Sequence, residues 1–252
     1  MMSNEEVSTR QAFADEAEWL SARRIGIGGS EAASAIGLSP WCSPWELYHR
    51  KVDGLEVEQN EFMFWGKALE PAILKRWADD HPDVDVDGSL GQFEVFRNLE
   101  DPWMFATPDA VTDDGTGIVE AKCASARVAW KWEDGAVPDE YLIQAHWYLE
   151  VLDREWCDFA VLIGGNEYRC IRFERDRELG AEIIAKVGEF WQMVQDRTPP
   201  DPEGYDRVAL LFPQHEEGER AQIDQSMMDD LFEAELLKSR GDEIKNLSLI
   251  HI

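Results

Sequence analysis

One spacing of charged residues constrains this 252-residue chain more than any other feature: Pro108-Asp109, ten further residues, then Glu120-Ala121-Lys122. The residues between them contain Asp113-Asp114-Gly115-Thr116-Gly117, which is typical of a tight turn between two strands. Because side chains alternate between the faces of a strand, Glu120 and Lys122 are predicted to share one face. Asp109 begins the preceding strand of this hairpin, so its carboxylate is expected to lie beside that of Glu120.

Two adjacent carboxylates and a lysine suggest a particular chemistry. The carboxylates repel each other unless a divalent cation neutralises them, and oxygen ligands of this kind suit Mg²⁺. A neighbouring lysine can hold a water or hydroxide, or neutralise charge on a phosphoryl oxygen. Asp109, Glu120 and Lys122 are therefore a set suited to metal-assisted phosphodiester hydrolysis. The alternative is an ordinary salt bridge between Glu120 and Lys122 on one strand face.

A small glycine loop is a second candidate site. Gly28-Gly29-Ser30 follows Arg23-Arg24 and precedes an alanine-rich helical start. Backbone N–H groups, a hydroxyl and a guanidinium there would suit a phosphate. A serine that caps a helix after a glycine turn explains the same residues without any ligand.

Two helical residues complete the candidates. Glu70 stands beside the apolar face of a predicted helix and could reach a neighbouring metal, although a solvated glutamate is the simpler interpretation. Gln144 and His146 fall within an aromatic and apolar helix. We expect the amide to be able to bind substrate and the histidine to be structural.

Periodicity and turn residues predict a mixed α/β chain. The proline-rich segment at 199–202 marks a boundary between a domain at 1–200 and an acidic tail at 201–252 that carries an amphipathic helix, which either closes the fold or docks on a partner. Helices are predicted at 43–52, 61–80 (with a kink at Pro71 or a break after Glu70), 138–152 and 176–195, and strands at 92–97, 103–106, 110–112, 117–123, 156–164 and 167–174.

The overall charge at first argues against a nucleic-acid ligand, since 52 acidic residues against 24 basic ones give a net charge of −28. A net charge is a sum over the surface, however, whereas DNA is held by a local field and bound cations. The acidity is what a high-salt cytoplasm would favour, which is a hypothesis about environment. The four scattered cysteines predict reduced thiols, and the absence of a signal peptide or a long apolar run predicts a cytoplasmic protein outside the membrane.

Several segments, taken together in their order, resemble the phage lambda exonuclease family, in its YqaJ-type viral recombinase branch, within the PD-(D/E)XK nuclease superfamily. The segments cover most of residues 19–200. They are RRIGIGGSEAASAIGLSPWCSPWELYHRK (23–51), WGKALEP (65–71), ATPDAVTDDGTGIVEAKC (106–123), VPDEYLIQAHWYLEV (137–151) and FAVLIGGNEYRCIRFERD (159–176).

The resemblance implies a fold and an activity. The fold is a restriction-endonuclease-like three-layer α/β core, with a central mixed sheet flanked by helices. The activity is an Mg²⁺-dependent exonuclease, with Mn²⁺ as a substitute, acting 5′-to-3′ on linear double-stranded DNA. Such enzymes release mononucleotides and leave a 3′ overhang, which a single-strand annealing protein uses in phage-type recombination. Members of this kind can form homotrimer rings around DNA.

The resemblance also implies site residues. Glu70, Asp109 and Glu120 match the metal carboxylates of the family, and the main-chain carbonyl of Ala121 matches a further ligand. Lys122 matches the catalytic lysine that positions the attacking water. The residues that match contacts to the terminal 5′-phosphate or nearby backbone are Ser30, Thr107 (where some members have serine), Gln144 and either Arg23 or Arg24.

Two other readings compete with this one. The first is a Cas4-like or helicase-associated nuclease of the same superfamily, which commonly carries an iron–sulfur cluster that scattered cysteines do not provide. The second is a catalytically inactive acidic protein that mimics DNA or binds partners. The set Glu70, Asp109, Glu120 and Lys122 argues against it, because an inactive protein has no physical need for these residues.

Overall fold

In its described residues the chain forms two β-sheets with helices packed on them. A computed structural model describes residues 7–55, 59–88 and 93–202. The strands are β1 (Ser8–Ala12), β2 (Ile27–Gly28), β3 (Val86–Gly88), β4 (Glu94–Asn98), β5 (Met104–Ala106), β6 (Ala110–Thr112), β7 (Gly117–Ala124), β8 (Trp156–Ile163) and β9 (Glu167–Glu174). The helices are α1 (Glu16–Arg24), α2 (Gly29–Ala35), α3 (Pro44–Val52), α4 (Glu61–Asp80), α5 (Asp139–Leu152) and α6 (Arg177–Gln195), with a 3₁₀ segment at Ala126–Gly135.

The larger sheet has five strands in the order β3-β6-β7-β8-β9. The pairing of β7 with β8 is parallel and the other pairings are antiparallel, so the sheet is mixed. The predicted hairpin of β6 and β7 is confirmed, with Ala110 opposite Val119. Asp114 shapes its turn, because its carboxylate accepts from the Thr116 N–H at 2.9 Å. Gly115 follows in the left-handed region, with φ of +78°.

Helices cover both faces of this sheet, giving the three layers that were predicted. On one face α5 and α6 bury an apolar core with the sheet, which includes Trp147, Phe159 and Val161. On the other face α4 packs Ile73 and Trp77 against the sheet. Because neighbouring residues of β7 face opposite ways, Val119 supports α4 while Glu120 points toward α5.

The predicted helices are found within a residue or two of their expected ends. Ser43 caps α3, where its hydroxyl accepts from the Glu46 N–H at 3.2 Å, and Pro44 occupies the first turn. In α4 the expectation of a break after Glu70 is wrong, since the helix continues through Pro71 to Asp80. Proline removes only one N–H, and packing of the second half of α4 on the sheet holds the helix together.

The smaller sheet, in the order β1-β4-β5-β2, is only half anticipated by the sequence. Its strands β4 and β5 were predicted, whereas β1 and the two-residue β2 were not. The predicted helix of the acidic tail lies outside the described residues, and the boundary near residue 200 stays a prediction. Across the described ranges, no helix combines the length and the apolar character needed to cross a bilayer.

Candidate active site

The β6–β7 hairpin brings Asp109, Glu120 and Lys122 together, as predicted. Asp109 lies just before β6, where its Oδ2 accepts from the Ala121 N–H at 2.8 Å and its own N–H lies 3.4 Å from Oε1 of Glu120. Lys122 Nζ donates to Oε2 of Glu120 at 2.7 Å. The salt bridge of the simpler reading is therefore present, but it belongs to a cluster with a second carboxylate.

Helix α5 adds Gln144 to this cluster. Its Nε2 donates to Oε2 of Glu120 at 3.0 Å, and its Oε1 accepts from Lys122 Nζ at 3.3 Å. The amide therefore contacts both charged groups, one through each of its ends. Gln144 is 8% exposed and Glu120 only 1%, so the two hold each other in a nearly dry setting.

Burial and crowding perturb the ionisation of these groups. Burial first, and then the charge of Asp109, raise the pKa of Glu120 to about 8. Burial also raises the pKa of Asp109, against the opposing effects of Lys122 and the Ala121 N–H. Burial acts to lower the pKa of Lys122, but the charges of Glu120 and Asp109 outweigh it and raise that pKa. The lysine is therefore cationic at neutral pH.

Glu70 approaches the cluster from α4. Burial and then the charge of Asp109 raise its pKa to about 7, while Lys122 and Lys67 act in the opposite direction. The effects of Asp109 and Lys122 on this pKa are consistent with a position of Glu70 near the hairpin. The sequence alone did not distinguish such a residue from a solvated glutamate.

The donor set fits a hard divalent cation. Glu70, Asp109 and Glu120 supply carboxylate oxygens, and Lys122 supplies only one compensating positive charge. Ala121 can add a carbonyl, because the N–H and C=O of a strand residue point to the same edge and its N–H faces Asp109. Burial is the main cause of the raised pKa values of Glu70 and Glu120, and the charge of Asp109 adds to it. A cation such as Mg²⁺ would offset the excess of negative charge with ligands of the type that it prefers.

The glycine loop places Ser30 at the start of α2, next to Arg23. Arg23 Nη2 lies 3.5 Å from Ser30 Oγ. The guanidinium of Arg24 instead lies against the loop at Gly54. Of the two arginines that the sequence left open, Arg23 is the one whose side chain reaches the serine.

A buried ion pair between Lys51 and Glu31 holds this glycine loop in place. Lys51 Nζ donates to both carboxylate oxygens of Glu31 at 2.8 Å and to the Arg23 carbonyl at 2.8 Å. Glu31 in turn accepts from the Gly28 N–H at 2.8 Å. Lys51 therefore links α3 to both sides of the loop, at the end of α1 and at the start of α2.

Tyr148 connects the loop to the carboxylate cluster. Its hydroxyl lies 3.1 Å from Thr107 Oγ1 and accepts from Gln144 Nε2 at 3.2 Å. Its ring packs against Gly29, where a Cβ atom would lie 2.7 Å from ring carbon Cδ1 and 2.9 Å from Cζ. Gly29, Thr107 and Gln144, which are far apart in sequence, therefore meet around one fully buried tyrosine, and Ser30 follows Gly29 in the chain.

The roles of two aromatic residues of α5, Tyr148 and Tyr141, were not predicted from the sequence. Tyr148 was read only as part of the apolar face of α5, as was Tyr141. The Tyr141 ring lies 5.1 Å from Lys122 Nζ and 5.7 Å from the exposed ring of Trp41. Tyr141 and Tyr148 lie one helical turn before and one turn after Gln144, and this spacing was the available signal.

Comparison with known proteins identifies the family of the chain. Residues 18–155 match the YqaJ-like viral recombinase domain. An uncharacterised protein of Bacillus subtilis (strain 168), YqaJ, is 34% identical over 191 residues, covering 74% of this chain. The chain spans 58% of the length of that relative.

Solved structures agree with the fold. The alkaline exonuclease of Laribacter hongkongensis, LHK-Exo, superimposes with a TM-score of 0.60 at 26% identity, over 72% of this chain and 94% of that protein. The same enzyme has been solved in complex with dAMP, with the same measures of similarity. The fold is therefore the restriction-endonuclease-like α/β fold that was predicted. On the match over residues 18–155, this chain belongs to the YqaJ-like viral recombinase family.

Proposed function

We propose that this chain is a metal-dependent exonuclease that degrades linear double-stranded DNA. We further propose that it acts 5′-to-3′ and leaves 3′ overhangs for phage-type homologous recombination. The observation that carries the proposal is the contact set of Asp109, Glu120, Lys122 and Gln144 in one buried cluster. The similarity to an alkaline exonuclease supports the same activity.

The carboxylates would hold Mg²⁺, with Mn²⁺ as a substitute, through Glu70, Asp109, Glu120 and the Ala121 carbonyl. When bound, such an ion polarises a phosphoryl oxygen and lowers the pKa of a coordinated water. Lys122 is cationic, so it acts as a hydrogen-bond donor that holds the attacking water or a phosphoryl oxygen. It cannot serve as a general base, because it has no lone pair to accept a proton.

The loop at Ser30 would receive the 5′ end of the DNA. Arg23 supplies a charge-assisted donor beside the Ser30 hydroxyl, and such pairs suit a terminal phosphate. Thr107 and Gln144 lie on the path from this loop to the carboxylates and would contact the neighbouring backbone. Arg24 is directed elsewhere, so its role would be limited to the surrounding field.

The decisive experiment is cleavage of a fluorescent linear duplex as a function of Mg²⁺ concentration. We expect digestion that requires Mg²⁺ or Mn²⁺ and stops with EDTA. Lys122→Met should lower the rate by at least about 100-fold, while Lys186→Met, an exposed lysine on α6, should leave it unchanged. Full activity of a correctly folded Lys122→Met protein would contradict the proposal.

Polarity and end recognition need labelled substrates. A 5′ label should appear first as a mononucleotide, whereas a 3′ label should persist in a growing overhang. Duplex with a 5′-phosphate should be cleaved faster than duplex with a 5′-hydroxyl, and Ser30→Ala should reduce that preference. Equal rates on the two ends would remove the phosphate pocket from the proposal and leave the hydrolytic site in place.

The family resemblance adds two partners to the proposal. One is a single-strand annealing protein that takes up the 3′ overhang, and the other is two further copies of this chain in a ring. Mass measurement by light scattering tests the trimer, and processive digestion of long duplex at limiting enzyme tests whether a ring matters for activity. A monomeric mass with processive digestion would contradict the ring.

A further inference from the structure

A second group of potential metal ligands lies on the α4 face of the central sheet. His81 is the residue at the C-terminal end of α4, Asp158 lies on β8 and Cys170 on β9. One ligand atom from each lies within 4.8 Å of the other two. His81 follows Glu70 by eleven residues, which is about 16 Å along a helix. The group is therefore separate from the carboxylates of the active site.

Strand register explains why Asp158 and Cys170 meet. In the antiparallel pair of β8 and β9, Asp158 lies opposite Arg172, and Cys170 is two residues from Arg172. Residues two apart on a strand share a face, so both ligands point toward α4. The end of α4 then brings His81 above them.

The histidine is oriented as metal-binding histidines commonly are. His81 Nδ1 lies 2.8 Å from the Trp77 carbonyl, and the imidazole stacks on the Trp77 ring at 4.4 Å. A carbonyl can only accept, so Nδ1 carries the proton and the Nε2 lone pair is left for a cation. A ring N–H donated to a backbone carbonyl is the usual support for a ligating histidine.

The carboxylate is supported in the same way. Asp158 is 1% exposed. Its Oδ2 accepts from the Trp77 indole N–H at 3.0 Å and from Arg172 Nη2 at 2.9 Å, and its Oδ1 accepts from Arg172 Nε at 2.7 Å. Each carboxylate oxygen has two lone pairs, so Oδ1 keeps one for a further partner. Ligating carboxylates are typically held by such hydrogen bonds.

We propose that His81, Asp158 and Cys170 form a second metal site, selective for Zn²⁺ or a similar borderline-soft dication. A nitrogen, an oxygen and a sulfur ligand suit zinc, whereas the all-oxygen set of the active site suits Mg²⁺. Zinc–ligand distances of about 2.0–2.3 Å place tetrahedral ligand atoms roughly 3.5 Å apart. The three atoms lie within 4.8 Å of one another, so they need to approach by about 1.3 Å at most.

Charge and access agree with this site. The Cys170 thiol gives its proton to solvent on binding, so the thiolate and the Asp158 carboxylate supply two negative charges, and the second is shared with Arg172. Cys170 is exposed, so an ion can enter from solvent. The site would tie the end of α4 to β8 and β9, and α4 is the helix that carries Glu70. Its expected effect is a rise in stability, independent of the hydrolytic activity.

Cobalt substitution tests the proposal directly. Co²⁺ bound by a thiolate gives a near-ultraviolet charge-transfer band that an all-oxygen site does not give. We expect this band to appear when the EDTA-treated full chain is titrated with Co²⁺ and to disappear when excess Zn²⁺ is added. Cys170→Ser and His81→Gln should remove it, whereas Cys123→Ser, which replaces the other exposed thiol, should retain it.

A second measurement separates binding from misfolding. Zn²⁺ at micromolar concentration should raise the Tm of the wild type and of Cys123→Ser by more than that of Cys170→Ser, in which only the active-site carboxylates can bind the ion. Circular dichroism confirms that each variant is folded. A wild type without the band, a band retained in Cys170→Ser, or an equal Tm rise in Cys170→Ser would each overturn the proposal.

Discussion

A methyl group added at Gly29 would test whether Tyr148 holds the glycine loop in register with the carboxylate cluster. In Gly29→Ala the new Cβ would lie 2.7 Å from Cδ1 of Tyr148 and 2.9 Å from Cζ, where ordinary carbon contacts lie about 3.5–4.0 Å apart. The loop or the ring must therefore move by about 1 Å. The ring has little freedom, because it is 1% exposed and its hydroxyl is bonded on two sides.

The cost follows from this geometry. Overpacking a buried site costs about 1–3 kcal/mol, and in a chain of this size each kcal/mol lowers Tm by about 2–4 °C. A fall of about 2–12 °C is therefore expected. Displacement of Ser30 or Gln144 by about 1 Å would also lower kcat/KM on 5′-phosphorylated duplex, by about 100-fold at most.

The matched control is Gly188→Ala on α6. There a Cβ would lie 3.9 Å from Trp103, which is ordinary contact, so the helix should gain about 0.5–1 kcal/mol. Thermal unfolding and single-turnover cleavage of labelled duplex would be measured for both variants. If Gly29→Ala matched Gly188→Ala in Tm and in cleavage rate, the contact between Gly29 and Tyr148 would affect neither stability nor activity.

Three further changes test the site and its surroundings. Tyr148→Phe keeps the ring but removes two hydrogen bonds of about 1 kcal/mol each, so we expect a lower Tm. Because Gln144 loses a partner, we also expect a lower kcat at unchanged KM. Unchanged kinetics would refute this role of Tyr148. Burial lowers the pKa of His146. The unfolded chain therefore binds more protons than the folded protein below the usual histidine pKa of about 6.5, and stability should be lost as the pH falls through that value. His146→Leu should flatten the curve of Tm against pH in this range. Asp109→Asn should abolish cleavage yet raise the Tm of the metal-free protein by about 2–4 °C, equivalent to about 1 kcal/mol. The reason is that one of the carboxylates crowded around Lys122 becomes neutral. A lower Tm would contradict the repulsion between these carboxylates.

The β6–β7 hairpin shows what local sequence can predict. Its turn residues and the alternation of Glu120 and Lys122 fix the pairing within a short stretch of chain, so the hairpin and its face were predicted correctly. The strands β1 and β2 were missed because β1 is polar, without an alternating apolar pattern, and β2 has only two residues; both are defined by long-range pairing, β1 with β4 and β2 with β5. Tertiary pairing of this kind leaves little local pattern.

The same difference between local sequence and tertiary packing applies to the candidate site. Candidate residues could be identified one motif at a time, but their meeting around Tyr148 depends on how α2, α5 and the hairpin pack. An aromatic residue on an apolar helix face is usually core, and only its hydroxyl contacts reveal a second role. The choice between Arg23 and Arg24 also required coordinates, because adjacent residues at the end of a helix point in different directions.

Helix α5 has a consequence for the size of the product. Gln144 and Tyr148 lie one turn apart on this helix. Gln144 contacts Glu120 in the proposed cleavage centre, and Tyr148 packs on the loop proposed to receive the DNA end. One rigid helix would therefore fix the distance between the bound 5′ end of the DNA and the phosphodiester bond that is cut. A nuclease built this way would remove the same length of DNA at every step, and changing that length would require remodelling of α5.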